Sequence, residues 1–237
     1  MAEVEAARTA QLAAVAALEE PTRRRVYEHV ARQPVPVSRE DVAEALGLAR
    51  STAAFHLDRL AGAGLLEVVY ERRTGRSGPG AGRPSKLYHR SDVQVTVSLP
   101  ERRYDLAGRL LAAAVDESAR TGEPARRLLQ RQARELGREL GRAGVDAAAD
   151  DEAKAMAALE VYGFEPRPTG EAIVLGNCPF HALAAAHTDL VCGMNLCLLD
   201  GLLEGLAATG LGARLDPRPG RCCVRIEPDP DRAAASA

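Results

Sequence analysis

The feature of the 237-residue sequence that most constrains its fold is the series of helix start and stop signals in residues 12–65. Pro21 is typical of the first turn of a helix, and Ser38 is a typical N-cap for the short helix after it. Gly47 ends that helix, and a further helix is predicted over 50–61. Because apolar residues recur at helical spacing in these segments, we expect short helices packed around a common core.

A pair of strands is predicted after the last of these helices. Leu65 to Tyr70 has strand composition, and Lys86 to Arg90 can form the returning strand. Between them lies the Gly/Pro-rich, arginine-bearing loop TGRSGPGAGRPS. A helix-turn-helix followed by a two-stranded wing suits duplex DNA, because the second helix can enter the major groove. Residues 1–95 are therefore predicted to form a DNA-binding domain.

Several side chains of the predicted recognition helix and wing can contact DNA. Ala53, Leu57 and Leu60 can face the core, so the residues between them face outward. Hydroxyls and guanidinium groups suit phosphates and base edges, and an aromatic ring can touch a thymine methyl. The candidate contacts are Arg50, Ser51, Thr52, Phe55, His56 and Arg59 on the helix, with Arg72, Arg73, Arg76, Arg83 and Lys86 on the wing. A buried, hydrogen-bonded side chain is the alternative interpretation of His56.

The first domain resembles the winged-helix repressors of the ArsR type. The resemblance rests on STAAFHLDRLAGAGLLE followed by GRPSKLYHRS, and it covers about residues 15–90. In that family the helix-turn-helix leads into a Gly-Leu-Leu strand, and a GRP-x-K-x-Y wing returns. The resemblance implies a homodimer on an operator in double-stranded DNA. The helices predicted within 101–143 are then the natural dimer seam.

The rest of the chain divides into two further blocks. Residues 96–145 are predicted to be helical, with a break at Gly122-Glu123-Pro124, and residues 146–237 mix helices and strands. Residues 21–90 carry six more basic than acidic side chains, whereas residues 151–237 carry five more acidic than basic ones. We therefore predict an α+β protein with an N-terminal winged helix-turn-helix, a helical dimerisation linker (96–145) and a C-terminal α+β sensor domain (146–237). The opposite charges indicate different partners for the two ends.

All five cysteines lie in the predicted sensor domain, after residue 177. The acidic N-terminus has no basic segment typical of a signal peptide, so a metal, cluster or redox role is favoured over a disulfide framework. Cys192 is predicted at a helix start, where the helix dipole favours a thiolate. Cys222 and Cys223 are predicted on a strand, where neighbours point to opposite faces, so one of them is expected to join the site. Cys197 is predicted to be a core thiol.

The candidate metal ligands are Cys178, His181, Cys192, Cys222 and Cys223. Cys178 and His181 have Cys-x2-His spacing, which lets both meet one ion across a tight turn. Four such ligands could hold tetrahedral zinc, and three cysteines with another donor could hold an iron–sulfur cluster. The alternative is that these are small buried side chains. His187 is predicted to stabilise a helix C-terminus instead of binding a metal.

The whole layout resembles the SufR-type iron–sulfur-sensing repressors, in which cluster status controls DNA affinity. Cys178, in an Asn-Cys-Pro setting, matches the first family cysteine, Cys192 the second, and Cys222 or Cys223 the last. The family usually has a further cysteine before the last one, where this chain reads Ala213-Arg214-Leu215-Asp216-Pro217. The resemblance therefore implies an iron–sulfur cluster, with His181 or Asp216 as candidates for the missing ligand and zinc as the alternative cofactor.

Two rival functions remain at this stage. One is a winged-helix regulator whose third block takes up a small organic ligand, its cysteines being structural. The other is an enzyme with Cys192 as nucleophile and His181 as base. No oxyanion-type loop or orienting partner accompanies that pair, so we expect no enzyme activity. No apolar run approaches the roughly 20 residues of a membrane helix, so we expect a cytoplasmic protein without membrane contact.

Overall fold

The structure is a computed structural model, and it describes residues 2–71, 84–143 and 150–235. Contacts divide the chain into two compact units, residues 2–97 and residues 98–237, which we call the N-terminal and C-terminal units. The helices predicted within 96–145 therefore belong to the same unit as the cysteines.

The N-terminal unit packs helices against a small antiparallel sheet. Its helices are α1 (Ala2–Ala17), α2 (Pro21–Ala31), α3 (Arg39–Leu46) and α4 (Arg50–Gly62), and its strands are β1 (Val37–Ser38), β2 (Leu66–Glu71) and β3 (Ser85–Arg90). The strand order is β1-β3-β2, and Val68 of β2 pairs with Tyr88 of β3. The core includes Val26, Leu57 and Leu60, each fully buried. The predicted helix-turn-helix and returning strand pair are confirmed.

Local capping signals account for the helix boundaries in this unit. The Ser38 hydroxyl accepts a hydrogen bond from the backbone nitrogen of Asp41, and the Asp41 carboxylate accepts one from the backbone nitrogen of Ser38, which completes a capping box on α3. Gly47 follows α3 with φ of 65°, in the left-handed region that suits glycine. The turn between α3 and α4 is therefore encoded locally.

The C-terminal unit combines long helices with a second antiparallel sheet. Its helices are α5 (Tyr104–Thr121), α6 (Ala125–Ala143), α7 (Asp151–Val161), α8 (His181–Ala186), α9 (Thr188–Gly205) and α10 (Pro230–Ala235). Its strands are β4 (Pro166–Thr169), β5 (Ala172–Leu175), β6 (Leu211–Leu215) and β7 (Val224–Pro228), in the order β4-β5-β7-β6. One continuous apolar core joins α9 to both the sheet and the α5–α6 pair.

Helices α6 and α9 approach each other closely because glycines face each other. Gly137 and Gly141 of α6 lie against the α9 backbone, and Gly201 and Gly205 of α9 lie against the α6 backbone. Beside this contact, Glu204 accepts hydrogen bonds from Arg134 and Arg138. The tight packing holds α9, which carries Cys192, in a defined register against α6.

Candidate DNA-binding surface and thiol site

Helix α4 presents the side chains predicted to contact DNA. Arg50, Ser51, Phe55 and Arg59 are exposed, and Thr52 is half-buried. The Arg59 guanidinium lies 5.8 Å from the centre of the Phe55 ring. No side chain in the described part of the protein caps the α4 N-terminus. Its first backbone N–H groups can therefore bind a phosphate, as helix N-termini do.

His56 does not join this exposed face. The side chain is buried, and its Nδ1 atom lies 3.5 Å from Oε2 of Glu20, which caps the start of α2. The ring therefore packs between α4 and α2 in the structure. The burial agrees with the alternative interpretation of His56, but Nδ1 has no hydrogen-bond partner among the described residues.

Lys86 is engaged with the recognition helix in the structure. Its Nζ atom lies 2.5 Å from Oδ1 of Asp58, and the hydroxyl of Tyr88 donates to the same oxygen over 2.7 Å. The hydrogen bond to Asp58 raises the pKa of Lys86, so the ammonium stays charged. Lys86 therefore ties β3 to α4 while remaining exposed. The other wing candidates, Arg72, Arg73, Arg76 and Arg83, lie outside the described residues.

Four of the five cysteines come together in the C-terminal unit. The Cys178 and Cys222 thiols lie close enough to shift each other's pKa, and Cys223 lies close enough to shift the pKa of Cys222 and of Cys192. We call these four residues the thiol cluster. They come from the turn after β5, from helix α9 and from the segment before β7. Cys197 lies outside the cluster and packs against the apolar core, as predicted.

The structure corrects the expected environment of Cys192. Helix α9 begins at Thr188, not near Cys192, so the thiol lies in the second turn and not at the N-terminus. Burial raises the pKa of Cys192, which is the opposite of the thiolate expected from the helix dipole. The prediction that a helix starts near Cys192 is wrong, because α8 ends at Ala186 and α9 begins at Thr188.

The strand prediction for Cys222 and Cys223 also needs correction. Strand β7 begins at Val224, so both cysteines precede it and the alternation of a strand does not separate them. Of the two, Cys223 lines the neighbouring cavity, whereas Cys222 is buried and lies next to Cys178. A hydrogen bond from Cys178 lowers the pKa of Cys222, but contact with Cys223 and burial outweigh it and raise the pKa to about 12.

The thiol cluster borders a cavity of about 300 Å³, which we call the thiol cavity. Cys178, Cys192 and Cys223 line it, and Cys222 reaches the group through its contact with Cys178. His181 also lines the cavity, at the start of α8. The predicted sulfur and imidazole donors therefore meet around one space, although they lie up to 45 residues apart in the sequence.

Polar residues that the sequence analysis missed surround the cluster. The Asn195 side chain is fully buried and its Nδ2 atom donates to Sγ of Cys222 over 3.3 Å. Asn195 lies one helical turn after Cys192, so its i, i+3 spacing was the available signal. Arg218 and Arg221 line the thiol cavity and add positive charge beside the sulfurs.

Asp216 is not placed to complete the cluster. Its carboxylate pairs with Arg218 at 3.1 Å, with Arg221, and with Arg225 at 3.6 Å. Asp216 does not line the thiol cavity. Of the two candidates for the missing ligand, the structure therefore brings only His181 to the cysteines.

Sulfur and imidazole are donor types that both zinc sites and iron–sulfur clusters use. In the described residues, no group of three or more His, Cys, Asp or Glu side chains is arranged to hold a metal ion. A tetrahedral zinc site needs four ligands converging on one point, with sulfur about 2.3 Å from the metal. An iron–sulfur cluster instead spreads its cysteine ligands over several iron atoms.

Comparison with protein families matches residues 18–69 to a family described as a helix-turn-helix domain. The match spans α2, α3, α4 and the start of β2, which are the elements that form the candidate DNA-binding surface. Comparison with curated proteins gives no match. No helix in the described residues combines the length and apolar character needed to cross a bilayer. The chain is a DNA-binding transcriptional regulator with a helix-turn-helix domain.

Proposed function

We propose that this helix-turn-helix protein is a transcriptional repressor that acts as a homodimer, and that its C-terminal unit senses an iron–sulfur cluster. Cys178, Cys192 and at least one of Cys222 and Cys223 would hold the cluster, with His181 as the fourth donor. The observation that carries the proposal is the convergence of the thiol cluster on one cavity. Three thiols from three separate segments line this cavity beside His181, which favours a common ligand over chance burial of small side chains.

The residues around the thiol cavity support this proposal. Thiolates are the usual ligands of iron–sulfur clusters, and a bound cluster would supply a centre whose assembly or oxidation depends on iron and oxygen. Asn195 donates a hydrogen bond to the Cys222 sulfur, which stabilises negative charge there. Arg218 and Arg221 place two further positive charges at the cavity. Asn195 orients the Cys222 sulfur, and the two arginines balance the negative charge of thiolates.

The proposed readout is DNA affinity. A dimer of helix-turn-helix domains binds half-sites about one helical turn apart, so a change in the distance between its two recognition helices changes affinity. We propose that α5 and α6 provide the dimer contact and transmit the state of the thiol site to that distance. The coupling is reciprocal, so operator binding would in turn change cluster stability.

We also propose that the protein is not an enzyme. A nucleophilic cysteine needs a thiolate, and burial raises the pKa of Cys192. Its neighbour in the cluster is the Cys223 thiol and not a base. These contacts favour a ligand role over a catalytic one.

The decisive experiment compares protein purified without oxygen with two cysteine variants. We expect the unmodified protein to be brown and to contain iron and sulfide. Cys178→Ala should lose iron, sulfide and colour, because its thiol lines the cavity. Cys197→Ala is the matched control and should keep all three, because Cys197 lies outside the cluster.

The same samples test the link to DNA. Affinity for a duplex selected by the protein itself should differ between the cluster-loaded and cluster-free forms, and Cys178→Ala should behave as the cluster-free form. A colourless protein with one zinc per chain would overturn the iron–sulfur proposal. Equal DNA affinity with and without the cluster would overturn the sensing role and leave only DNA binding.

A further inference from the structure

A second, larger cavity lies in the C-terminal unit, away from the thiols. It has a volume of about 580 Å³ and lies among α5, α6 and α9, and we call it the leucine cavity. Its walls are mainly apolar, and they include Leu106, Leu110, Leu136, Leu140, Leu198 and Leu202. This volume and this lining are typical of pockets that bind small organic molecules.

The polar side chains of the leucine cavity belong to five residues, Arg103, Asp105, Arg109, Gln132 and Tyr162. Two arginines against one aspartate leave the lining with a formal charge of +1. Arg109 is paired with Asp105 at 2.8 Å, and Nη2 of Arg103 is paired with Glu101 at 2.6 Å. Within the described residues, Nε of Arg103 and Oε1 of Gln132 are buried and have no hydrogen-bond partner.

These two unpartnered atoms define what a ligand should supply. Buried polar atoms in proteins are nearly always hydrogen-bonded, so a donor and an acceptor left unpaired beside one cavity need an explanation. The Arg103 Nε–H group requires an acceptor. A carboxylate head meets this need, because it accepts a charge-assisted hydrogen bond, and the leucine walls suit a hydrocarbon chain.

We propose that the leucine cavity binds an apolar monocarboxylate of the fatty-acid type. The hydrocarbon chain packs against the leucines of α5, α6 and α9, and the carboxylate is held by Arg103. This proposal goes beyond the iron–sulfur proposal and does not rest on it, because no cysteine lines the leucine cavity.

The leucine cavity and the thiol cavity nevertheless border the same turn, residues 178–181. Phe180 lines the leucine cavity, whereas Cys178 and His181 of the same turn line the thiol cavity. The Phe180 ring is buried and packs edge-on against Phe164, with the ring centres 6.5 Å apart. A molecule in the leucine cavity therefore contacts the turn that presents Cys178.

Calorimetric titration of the full-length protein with decanoate tests the proposal, with decan-1-ol as the uncharged probe of equal length. We expect decanoate to bind one molecule per chain. Ala113→Trp should weaken binding at least tenfold, because Ala113 is exposed and lines the cavity, so that the indole fills it. Ala112→Trp is the matched control, since Ala112 is exposed on the same helix but does not line the cavity.

A further variant tests the carboxylate assignment. Arg103→Gln should weaken decanoate about tenfold and leave decan-1-ol unchanged, because it removes the charged donor only. Absence of decanoate binding to the folded protein would overturn the proposal, as would equal binding by Ala113→Trp and Ala112→Trp. Sedimentation equilibrium tests whether a second copy of the chain occupies the leucine cavity instead. If Ala113→Trp dissociates a dimer and Ala112→Trp does not, the second copy occupies the cavity and the fatty-acid proposal is overturned.

Discussion

Arg102 donates a hydrogen bond from Nη1 to the side-chain oxygen of Asn177, the residue before Cys178. The Asn177 amide nitrogen in turn donates to the carbonyls of Glu101, over 3.0 Å, and Gly163, over 2.6 Å. These bonds join the segment that leads into α5 to the turn that carries the first cysteine of the thiol cluster. Because Asn177 is 7% exposed, water has little access to replace the bonds when they are lost.

Replacing Asn177 by alanine should therefore destabilise the C-terminal unit. Asn177→Ala removes three hydrogen bonds, one of them to a guanidinium, and leaves buried partners unpaired. We expect the free energy of unfolding to fall by about 2–3 kcal/mol, measured by urea denaturation. Gln94→Ala, at an exposed side chain, is the control and should change stability by less than about 0.5 kcal/mol. Equal effects of the two substitutions would contradict the structural role of Asn177.

The close packing of α6 and α9 predicts a strong effect of one methyl group. A Cβ atom at Gly201 would collide with the carbonyl oxygen of Arg134, which belongs to the α6 backbone and cannot move aside cheaply. We expect Gly201→Ala to lower the free energy of unfolding by more than about 2 kcal/mol. Gly108→Ala is the control, because Gly108 lies in α5 with open space around it. It should be neutral or stabilise by up to about 1 kcal/mol. Denaturation of both variants by urea gives the comparison.

Glu204 should make stability depend on pH in acid. Burial alone would raise the pKa of Glu204, but hydrogen bonds from Arg134 and Arg138 outweigh it and lower the pKa to about 2. Arg232 also donates to this carboxylate, and Asp200 shares Arg134 and Arg232 with it. Because the folded pKa lies below the unfolded value, the stabilisation is complete above about pH 4.5 and is lost as pH falls towards 2.

Glu204→Gln tests this dependence. We expect the substitution to cost about 2 kcal/mol at pH 7 and progressively less below pH 4.5, where the unfolded chain takes up a proton that the folded carboxylate, with its lower pKa, does not. Urea denaturation at pH 7, 5 and 3.5 gives the comparison. Glu139→Gln, at an exposed glutamate of α6, serves as the control and should show a small effect that does not follow this trend. A cost of Glu204→Gln that stays constant down to pH 3.5 would be inconsistent with the lowered pKa.

The exposed face of α4 predicts the salt dependence of DNA binding. Arg50 lies in the first turn of α4, where it can pair with a phosphate. Arg50→Ala should weaken binding to any duplex and reduce the slope of log affinity against log salt by about one. Fluorescence anisotropy at several salt concentrations measures both. Arg127→Ala, at an exposed arginine of the C-terminal unit, should leave affinity and slope unchanged. If both variants have the same slope as the unmodified protein, Arg50 is not a phosphate contact.

Caps, turns and the order of the helices and strands could be predicted from the sequence, because they depend on residues that are neighbours in the chain. The helix-turn-helix follows from Ser38, Gly47 and apolar residues at helical spacing, because capping and turn formation act over a few positions. The order of α4, β2 and β3 follows from local composition in the same way. The chemistry of the C-terminal unit was also visible, since sulfur donors are recognisable wherever they lie.

Which sulfur and imidazole donors lie close together could not be predicted from the sequence, because it depends on the packing of distant elements. Cys178 and Cys222 are 44 residues apart, and their contact depends on how β5 pairs with β7 and where β7 begins. Strand β7 begins only at Val224, so the alternation of a strand does not separate Cys222 from Cys223, and the start of α9 at Thr188 places Cys192 away from a helix end. The leucine cavity likewise had no local signal. Spacing along a chain limits side-chain direction within one element, whereas the packing of distant elements sets which side chains face one another.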